Sequence, residues 1–125
     1  MLDDVPQYYS PGEVSERFGV SLDTLRYYER VGVLSTVERA PSGHRRYRAD
    51  DVEMLDLVRC LRDTGMPIEV LRRFAELVRS GDATIPERIE LLTDHDQQLA
   101  AHMALLEERR EHIRGKIAYY RSRET

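Results

Sequence analysis

A long apolar pattern near the C-terminus constrains this chain more than any other feature. Eleven positions from Ile85 to Tyr120 alternate steps of four and three residues, and nine of them are apolar or aromatic, which is typical of a coiled-coil seam. Thr84, Pro86 and Glu87 predict its start, with a capping box and a Pro in the first turn. A helix of roughly 36 residues would be about 54 Å long. A domain this small cannot cover that length, so the pattern predicts a partner helix from a second copy.

Two charged residues interrupt the seam and indicate how two copies pair. Asp96 and Arg110 lie at equal distances on either side of Met103. An antiparallel pair centred near Met103 brings Asp96 of one copy close to Arg110 of the other, whereas a parallel pair stacks like charges. We therefore predict an antiparallel homodimer, with the register defined to within about one layer. The residues predicted to form the interface are Ile89, Leu92, Asp96, Leu99, Met103, Leu106, Arg110, Ile113 and Ile117.

The N-terminal part of the chain contains signals for two short helices. Ser10, Pro11 and Glu13 predict the start of the first helix with a capping box, and Gly19 ends it. Ser21 is the predicted N-cap of the second helix, which ends near residue 32. Two short helices joined by a Gly-containing turn are typical of a helix-turn-helix.

Helical periodicity divides these two helices into an inner and an outer face. Val14 and Phe18 share one face of the first helix, and Leu25 and Tyr28 can pack against them from the second. This packing leaves Arg26, Tyr27 and Arg30 facing outwards.

A basic segment follows the second helix. Thr36–Arg39 and His44–Tyr47 flank the turn Pro41–Gly43, which predicts a two-stranded ribbon that packs against the helices. The segment from Arg39 to Arg48 contains four arginines and no acid. An arginine-bearing ribbon after a helix-turn-helix is a wing, and it suits a phosphate backbone.

Two further helices are predicted between the wing and the seam, at Asp50–Thr64 and Pro67–Ser80. The first has acidic residues at its positive N-terminal end. Residues 1–7 are expected to form a loose arm.

The composition limits the kind of protein that this sequence can encode. The chain has 125 residues, a net charge of −4, a single cysteine, and no run of apolar residues long enough for a transmembrane helix. The N-terminus has no apolar segment of a signal peptide, so a cytoplasmic protein associated with the nucleoid is expected. No nucleophile–base pair, phosphate loop or metal-ligand set is present, so we expect no enzyme, no metal and no cofactor.

The residues that carry these features resemble those of the mercury-resistance-regulator (MerR) family of bacterial transcription regulators. The resemblance runs from about residue 8 to the end, through the runs YYSPGEVSERFGVSLDTLRYYERVGVL and GHRRYRADDVEMLDLVRCLRDTGMPIEVLRRF. It implies a mainly α fold, with a winged helix-turn-helix DNA-binding domain and a long C-terminal antiparallel coiled-coil dimerisation helix. The implied boundaries are 1–80 for the DNA-binding domain, about 33–48 for the wing, about 50–80 for the second helix pair and 84–121 for the dimerisation helix.

The resemblance also implies a partner and a set of contacts. Such a homodimer binds a palindromic, overlong spacer in promoter DNA and distorts it so that RNA polymerase holoenzyme engages both promoter elements. The DNA-binding residues implied for this chain are Ser21, Thr24, Arg26, Tyr27, Arg30, His44, Arg45, Arg46 and Tyr47. Arg48 and Pro67 depart from the family pattern, which usually has small hydroxyl residues there. Asp50 is therefore expected to cap the third helix in place of Arg48.

The signal that the protein senses is constrained by what the sequence contains. Metal-sensing and iron–sulfur members carry several cysteines, and drug-sensing members carry a further domain, neither of which is expected here. Cys60, in the run VRCLRDTGM, resembles the lone cysteine of an aldehyde- and thiol-stress-responsive branch. This implies a thiolate that attacks an electrophilic carbon. Arg59 is then expected to reach the partner subunit, and His95, His102 and His112 to lie on a solvated face.

Three alternatives remain open at this point. Cys60 can instead be a small buried core residue, because free cysteine is often buried. The regulator can then bind a small ligand without covalent chemistry, between its DNA-binding domain and the partner's coiled coil. A protein of another class, a coiled-coil interaction module whose winged domain binds protein, would show no salt-sensitive DNA binding.

Overall fold

The computed structural model describes residues 8–34 and 38–124 and is mainly helical, as predicted. The helices are α1 (Pro11–Phe18), α2 (Leu22–Arg30), α3 (Ala49–Asp63), α4 (Ile68–Arg79) and α5 (Ile85–Arg123). The strands are β1 (Tyr8–Tyr9), β2 (Glu38–Arg39) and β3 (Arg45–Arg48). A 3-10 turn at Asp82–Thr84 precedes α5. The chain divides into two compact units between Arg88 and Ile89.

The start of α1 forms the predicted capping box. The Ser10 hydroxyl accepts a hydrogen bond from the Glu13 backbone N–H at 3.1 Å, and the Glu13 carboxylate accepts one from the Ser10 backbone N–H at 3.0 Å. The Ser10 backbone N–H, which donates to the Glu13 carboxylate, and the Ser10 side chain both lower the pKa of Glu13. The helix ends at Gly19, whose φ of 65° is the left-handed conformation that favours glycine.

The start of α2 is capped by Ser21. Its hydroxyl accepts a hydrogen bond from the Thr24 backbone N–H at 3.1 Å and donates one to the Thr24 hydroxyl at 2.9 Å. The chain leaves the helix when the Val33 backbone N–H bonds the Tyr28 carbonyl at 2.9 Å. The predicted helix-turn-helix is therefore formed, and its second helix is held at both ends.

The wing is a three-stranded sheet rather than the predicted two-stranded ribbon. Its strand order is β1-β3-β2, and both pairs are antiparallel. β2 and β3 are joined by a turn in which Gly43 donates its N–H to the Ala40 carbonyl at 2.8 Å. The prediction missed β1, because a two-residue strand shows no alternation of apolar and polar residues. The expected strand residues Thr36 and Val37, and the expected arm at 1–7, lie outside the described residues.

The core of the first unit joins the helix-turn-helix, the wing and the second helix pair. Tyr47 of β3 is 2% exposed and Leu55 of α3 is 1% exposed. The expected faces of the first two helices are confirmed at Val14, Leu25 and Tyr28, whereas Phe18 is half-buried. The buried residues are Val14, Val20, Leu25, Tyr28, Val33, Leu34, Tyr47, Leu55, Val58, Leu61, Met66, Leu71, Phe74, Ala75 and Leu77.

The start of α3 differs from the expectation that Asp50 caps it. The helix begins at Ala49, and its N-cap residue is Arg48. The Asp51 carboxylate accepts a hydrogen bond from the Arg48 backbone N–H at 2.9 Å. The cap is therefore supplied by an acid inside the first turn, which satisfies the backbone without a hydroxyl residue at the N-cap.

The start of α5 also differs from the predicted capping box. The Thr84 hydroxyl donates to the Gly81 carbonyl at 2.8 Å, and its oxygen accepts from Arg88 Nε at 3.0 Å. The Glu87 carboxylate pairs with Arg73 of α4 at 3.3 Å instead of returning to Thr84. The 3-10 turn before α5 therefore replaces the predicted box.

The predicted long helix is present and continuous. α5 contains 39 residues and none of them is buried. Across residues 8–34 and 38–124, every helix is too short or too polar to cross a membrane.

Candidate nucleic-acid interface

The outer face of α2 carries basic and aromatic side chains. Arg26, Tyr27 and Arg30 are exposed, whereas Leu25 and Tyr28 are buried. The Arg30 guanidinium lies over the Tyr27 ring, 5.5 Å from its centroid. The predicted division of α2 into two faces is therefore confirmed, and the outer one offers cations and a flat ring to a ligand.

The N-terminal end of α2 continues this surface. Ser21 is the N-cap and Thr24 is in the first turn, so both hydroxyls lie at the positive end of the helix dipole. Ser21 is exposed and Thr24 is half-buried. Leu22 is 42% exposed in the same turn. The sequence pattern did not single out Leu22, because a lone apolar residue at the start of a helix carries no periodic signal.

The wing strand β3 has two different faces, because side chains alternate along a strand. Arg45 and Tyr47 share one face, and the burial of Tyr47 shows that this face is directed at the helices. Arg46 and Arg48 share the other. Burial and the neighbouring Glu29 carboxylate raise the pKa of Tyr47 to about 12.

The inward arginine of β3 is paired with an acid of α2. Arg45 Nη1 lies 2.6 Å from Glu29 Oε2, and the Glu29 side chain is 11% exposed. The other oxygen of this carboxylate is buried and has no hydrogen-bond partner among the residues that the structure describes. Burial therefore raises the pKa of Glu29, although the positive charge of Arg45 opposes the change.

Arg46 is also paired, but within the wing. Its Nη2 lies 2.8 Å from Glu38 Oε1 of β2, and its guanidinium lies 3.8 Å from the centroid of the Tyr8 ring of β1. Glu29 and Glu38 are the only acids between Arg26 and Arg48. Each of them binds one arginine of β3, a role that the sequence prediction did not assign to either acid.

Two arginines at this surface have no ion pair, side-chain hydrogen bond or ring contact among the described residues. Arg26 and Arg48 are exposed, and neither forms an ion pair within residues 8–34 and 38–124. The sequence prediction treated Arg48 only as a departure from the usual helix cap. Arg39 donates a hydrogen bond to the Gly43 carbonyl at 3.0 Å, which places its guanidinium across the wing turn. Exposed His44 has Nδ1 at 3.1 Å from the Ser42 hydroxyl.

The candidate sensor Cys60 lies on the surface of α3. The residue is exposed, so the alternative that it is a core residue of this chain is wrong. Arg59, which was expected to reach the partner subunit, donates a hydrogen bond to the Phe18 carbonyl of the same chain. Arg62 donates to the Met66 carbonyl at 3.2 Å. Both neighbouring guanidinium groups are therefore bound to backbone oxygens.

The seam residues of α5 form an exposed apolar stripe. Met103 is 61% exposed, and Asp96 and Arg110 are exposed on the same stripe. Leu92 and Leu99 are half-buried. The other large exposed seam residues are Ile85, Ile89, Leu106, Ile113, Ile117 and Tyr120. No group of three His, Cys, Asp or Glu side chains is arranged for a metal ion in the described part of the chain.

The formal charges on α5 are sorted along its length. Residues from Ile85 to Glu108 include six acids and one base, whereas those from Arg109 to Arg123 include six bases and one acid. The helix is therefore negative in its first part and positive in its second.

Comparison with known proteins adds a family to this geometry. Residues 9–77 match the family described as MerR HTH family regulatory protein. An uncharacterized HTH-type transcriptional regulator of Haemophilus influenzae is 35% identical over 90% of this chain and 83% of its own length. The HTH-type transcriptional regulator AdhR of Bacillus subtilis is 39% identical over 70% of this chain, which is 62% of its own length.

Solved structures agree with the sequence relatives. The structure of HiNmlR, a MerR family regulator lacking the sensor domain, bound to promoter DNA, has a TM-score of 0.83 at 34% identity and covers 93% of this chain and 92% of its own. A MerR family transcriptional regulator from Listeria monocytogenes has a TM-score of 0.84 at 35% identity over 90% of this chain and 85% of its own. The chain therefore belongs to the MerR family of helix-turn-helix transcriptional regulators.

Proposed function

We propose that this regulator binds a palindromic spacer in promoter DNA as a homodimer, and that it activates or represses transcription by distorting that spacer. The observation that carries the proposal is the exposed basic and aromatic face of α2 beside the arginine-bearing wing. The similar HiNmlR structure is bound to promoter DNA. Residues 1–80 then act as the DNA-binding domain and 84–121 as the dimerisation helix, and no enzymatic step is involved.

The DNA surface combines a helix for the major groove with a wing for the backbone. α2 presents Thr24, Arg26 and Tyr27 to phosphates or base edges, and the N-cap Ser21 lies at an end that favours anions. Arg30, His44 and Arg46 extend the surface toward the wing. The net charge of −4 does not oppose this, because the segment from Arg39 to Arg48 carries four arginines and no acid.

Dimerisation supplies the second copy of this surface. The exposed seam of α5 needs an apolar partner, and the sorted charges select an antiparallel one. In that arrangement the acidic part of one helix lies along the basic part of the other, and Asp96 lies near Arg110 across the two-fold axis. A parallel pair would align acid with acid and base with base along the whole helix.

Two DNA-binding units at a fixed separation can act on the shape of the spacer. Bending or twisting a promoter spacer costs on the order of 1–6 kcal/mol, which additional contacts repay. RNA polymerase holoenzyme is the partner whose access then changes. Such a regulator works in the cytoplasm, on the nucleoid.

Cys60 is the proposed sensing residue, because its thiol is exposed. Formaldehyde is the simplest probe of this chemistry. The thiolate attacks the carbonyl carbon, the carbon–oxygen π pair moves to oxygen, and that oxygen takes up a proton to give an S-hydroxymethyl group. Binding of a small ligand without a covalent step is the alternative, and it predicts that the thiol is dispensable.

Footprinting of the protein's own upstream region tests the proposal. Wild type and Cys60→Ser are compared with and without formaldehyde. We expect a two-fold symmetric footprint whose affinity falls steeply with salt, because phosphate contacts release counterions. Salt-insensitive or absent binding would contradict DNA recognition. A Cys60→Ser protein that still responds to formaldehyde would exclude the sensor while leaving DNA recognition intact.

The orientation of the dimer has its own test in the Cys60→Ser background. Asp96→Cys alone forms an intermolecular disulfide only if two residues 96 meet, as in a parallel pair. A mixture of Asp96→Cys and Arg110→Cys chains crosslinks only if the pair is antiparallel. We expect the mixed disulfide under mild oxidation, and a disulfide from Asp96→Cys alone would contradict the antiparallel arrangement.

A further inference from the structure

Arg45 and Arg48 lie on the same short strand but in different surroundings. Strand alternation puts Arg45 on the inward face with buried Tyr47, and puts Arg48 on the opposite face. Arg45 is bound to Glu29 at 2.6 Å, whereas Arg48 is exposed and forms no ion pair with any residue that the structure describes. The strand thus carries one arginine that is in an ion pair, Arg45, and one that forms no ion pair among the described residues, Arg48.

Breaking the ion pair between Arg45 and Glu29 is costly because the carboxylate is buried. The Glu29 side chain is 11% exposed, Arg45 binds its Oε2, and its Oε1 has no hydrogen-bond partner in the described part of the chain. If Arg45 turned outwards to a phosphate, both oxygens of this carboxylate would lack partners away from water. A buried charge that loses its only partner is strongly unfavourable, so the pair resists exchange.

The ion pair also joins α2 to the central strand of the wing. Glu29 lies in the last turn of α2, whose outer face carries Arg26 and Tyr27. Arg45 is the first residue of β3, and β3 is the central strand of the wing. A short charge-assisted bond between them fixes the wing against the helix beside it.

We propose that Glu29 and Arg45 are positioning residues that set the wing against α2, and that Arg45 is not a phosphate contact. This inference rests on the proposed DNA binding. It changes the role implied for Arg45 by family resemblance, and it assigns Glu29 a role that the resemblance did not suggest. It also assigns the phosphate contact on β3 to Arg48.

Charge-removing variants separate these roles. The variants are Glu29→Gln, Arg45→Gln, the double variant, and Arg48→Gln as the matched control on the same strand. The probe is the duplex that the full-length wild-type chain selects from a random DNA pool. Affinity is measured against salt concentration for each protein, and circular dichroism and thermal unfolding check that each one folds.

The salt dependence distinguishes a positioning residue from a phosphate contact. We expect Arg45→Gln and Glu29→Gln each to weaken binding on the order of tenfold without changing the slope of log affinity against log salt. The double variant should bind about as well as either single one, since both remove the same pair. Arg48→Gln should reduce the magnitude of the slope by about 0.9, because one phosphate contact is lost.

Three results would overturn the inference. The first is a slope reduced by about 0.9 in Arg45→Gln, which would make Arg45 a phosphate contact. The second is tighter binding with a steeper slope in Glu29→Gln, which would mean that the acid withholds Arg45 from DNA. The third is an additive double variant. If Arg45→Gln does not fold, the slope and affinity of Glu29→Gln decide the question.

The failure of the proposed function has a different signature. A wild-type chain that selects no duplex would remove DNA recognition and this inference together. A wild-type chain that binds with a steep salt dependence, combined with any of the three results above, would remove the positioning role alone.

Discussion

The two units of this chain use charge in opposite ways. In the first unit, the Glu29 and Arg45 side chains are 11% and 34% exposed and join α2 to the wing. On α5, every described residue after Leu99 is exposed, and acids and bases are sorted along the helix. Buried charge fixes a shape within one chain, whereas exposed and sorted charge suits the proposed pairing with a second chain. The geometry of the first unit is therefore decided internally, whereas α5 leaves its apolar seam and its sorted charges exposed.

The largest expected effect comes from the core of the first unit. Leu55 of α3 is 1% exposed, so Leu55→Ala should lower the free energy of unfolding by about 2–5 kcal/mol. Leu105→Ala is the matched control, because Leu105 lies on α5 away from the seam and is 45% exposed. It should cost about 0.5 kcal/mol or less. Urea unfolding followed by circular dichroism measures both, and equal losses would remove the distinction between the units.

A charge change on α5 should act on association instead. Asp96→Arg places an arginine opposite Arg110 in an antiparallel pair, so we expect dimer dissociation to become on the order of tenfold easier. The double variant Asp96→Arg, Arg110→Asp should restore the dissociation constant of the wild type. Sedimentation equilibrium measures the dissociation constant of each. A double variant that remains weak would contradict the antiparallel arrangement.

Tyr47 gives the stability of the first unit a dependence on pH. Burial and the Glu29 carboxylate raise its pKa to about 12. The unfolded chain ionises this phenol near pH 10, whereas the folded chain keeps it protonated, so the free energy of unfolding falls as pH rises from about 10 to about 12. In Tyr47→Phe, the free energy of unfolding should fall less over this pH range. Urea midpoints between about pH 9 and 11 measure it, with Tyr119→Phe on α5 as the control for loss of a hydroxyl.

The smallest expected effect is at Cys60. Because the residue is exposed on α3, Cys60→Ser should change the free energy of unfolding by about 0.5 kcal/mol or less. The native thiol should also react with iodoacetamide without denaturant. A loss of several kcal/mol on substitution, or a native thiol that does not react, would show that the residue is covered in the working protein.

The elements of this fold that could be predicted from sequence are those with local signals. The α1 capping box needs only Ser10 and Glu13, which are three residues apart, and the α5 seam repeats one spacing over many turns. The Thr84 box failed although its residues are also local. Its hydroxyl binds carbonyl groups of the preceding turn, and Glu87 is drawn to Arg73 of α4. Both side chains of the expected box therefore make other contacts.

The candidate site was predictable as a surface but not in its internal pairing. The outer face of α2 followed from helical spacing around Leu25 and Tyr28. The pairing of Glu29 with Arg45 joins residues 16 apart in sequence, across a turn that no local pattern describes. One signal was available: Arg45 and Tyr47 are two apart on a strand, so the burial of an aromatic residue implies that the arginine also faces inwards.

The edge strand β1 determines where the protein can safely be fused to anything else. Tyr8 pairs with Arg48 and Tyr9 with Tyr47, so the first described residues lie beside the strand that carries the free arginine. An affinity tag at the N-terminus is linked through residues 1–7 to the strand that pairs with the proposed phosphate contact, Arg48. A tag of charged or histidine residues there would contribute its own counterions to every salt titration. Binding measurements on this protein therefore call for an N-terminus without a tag.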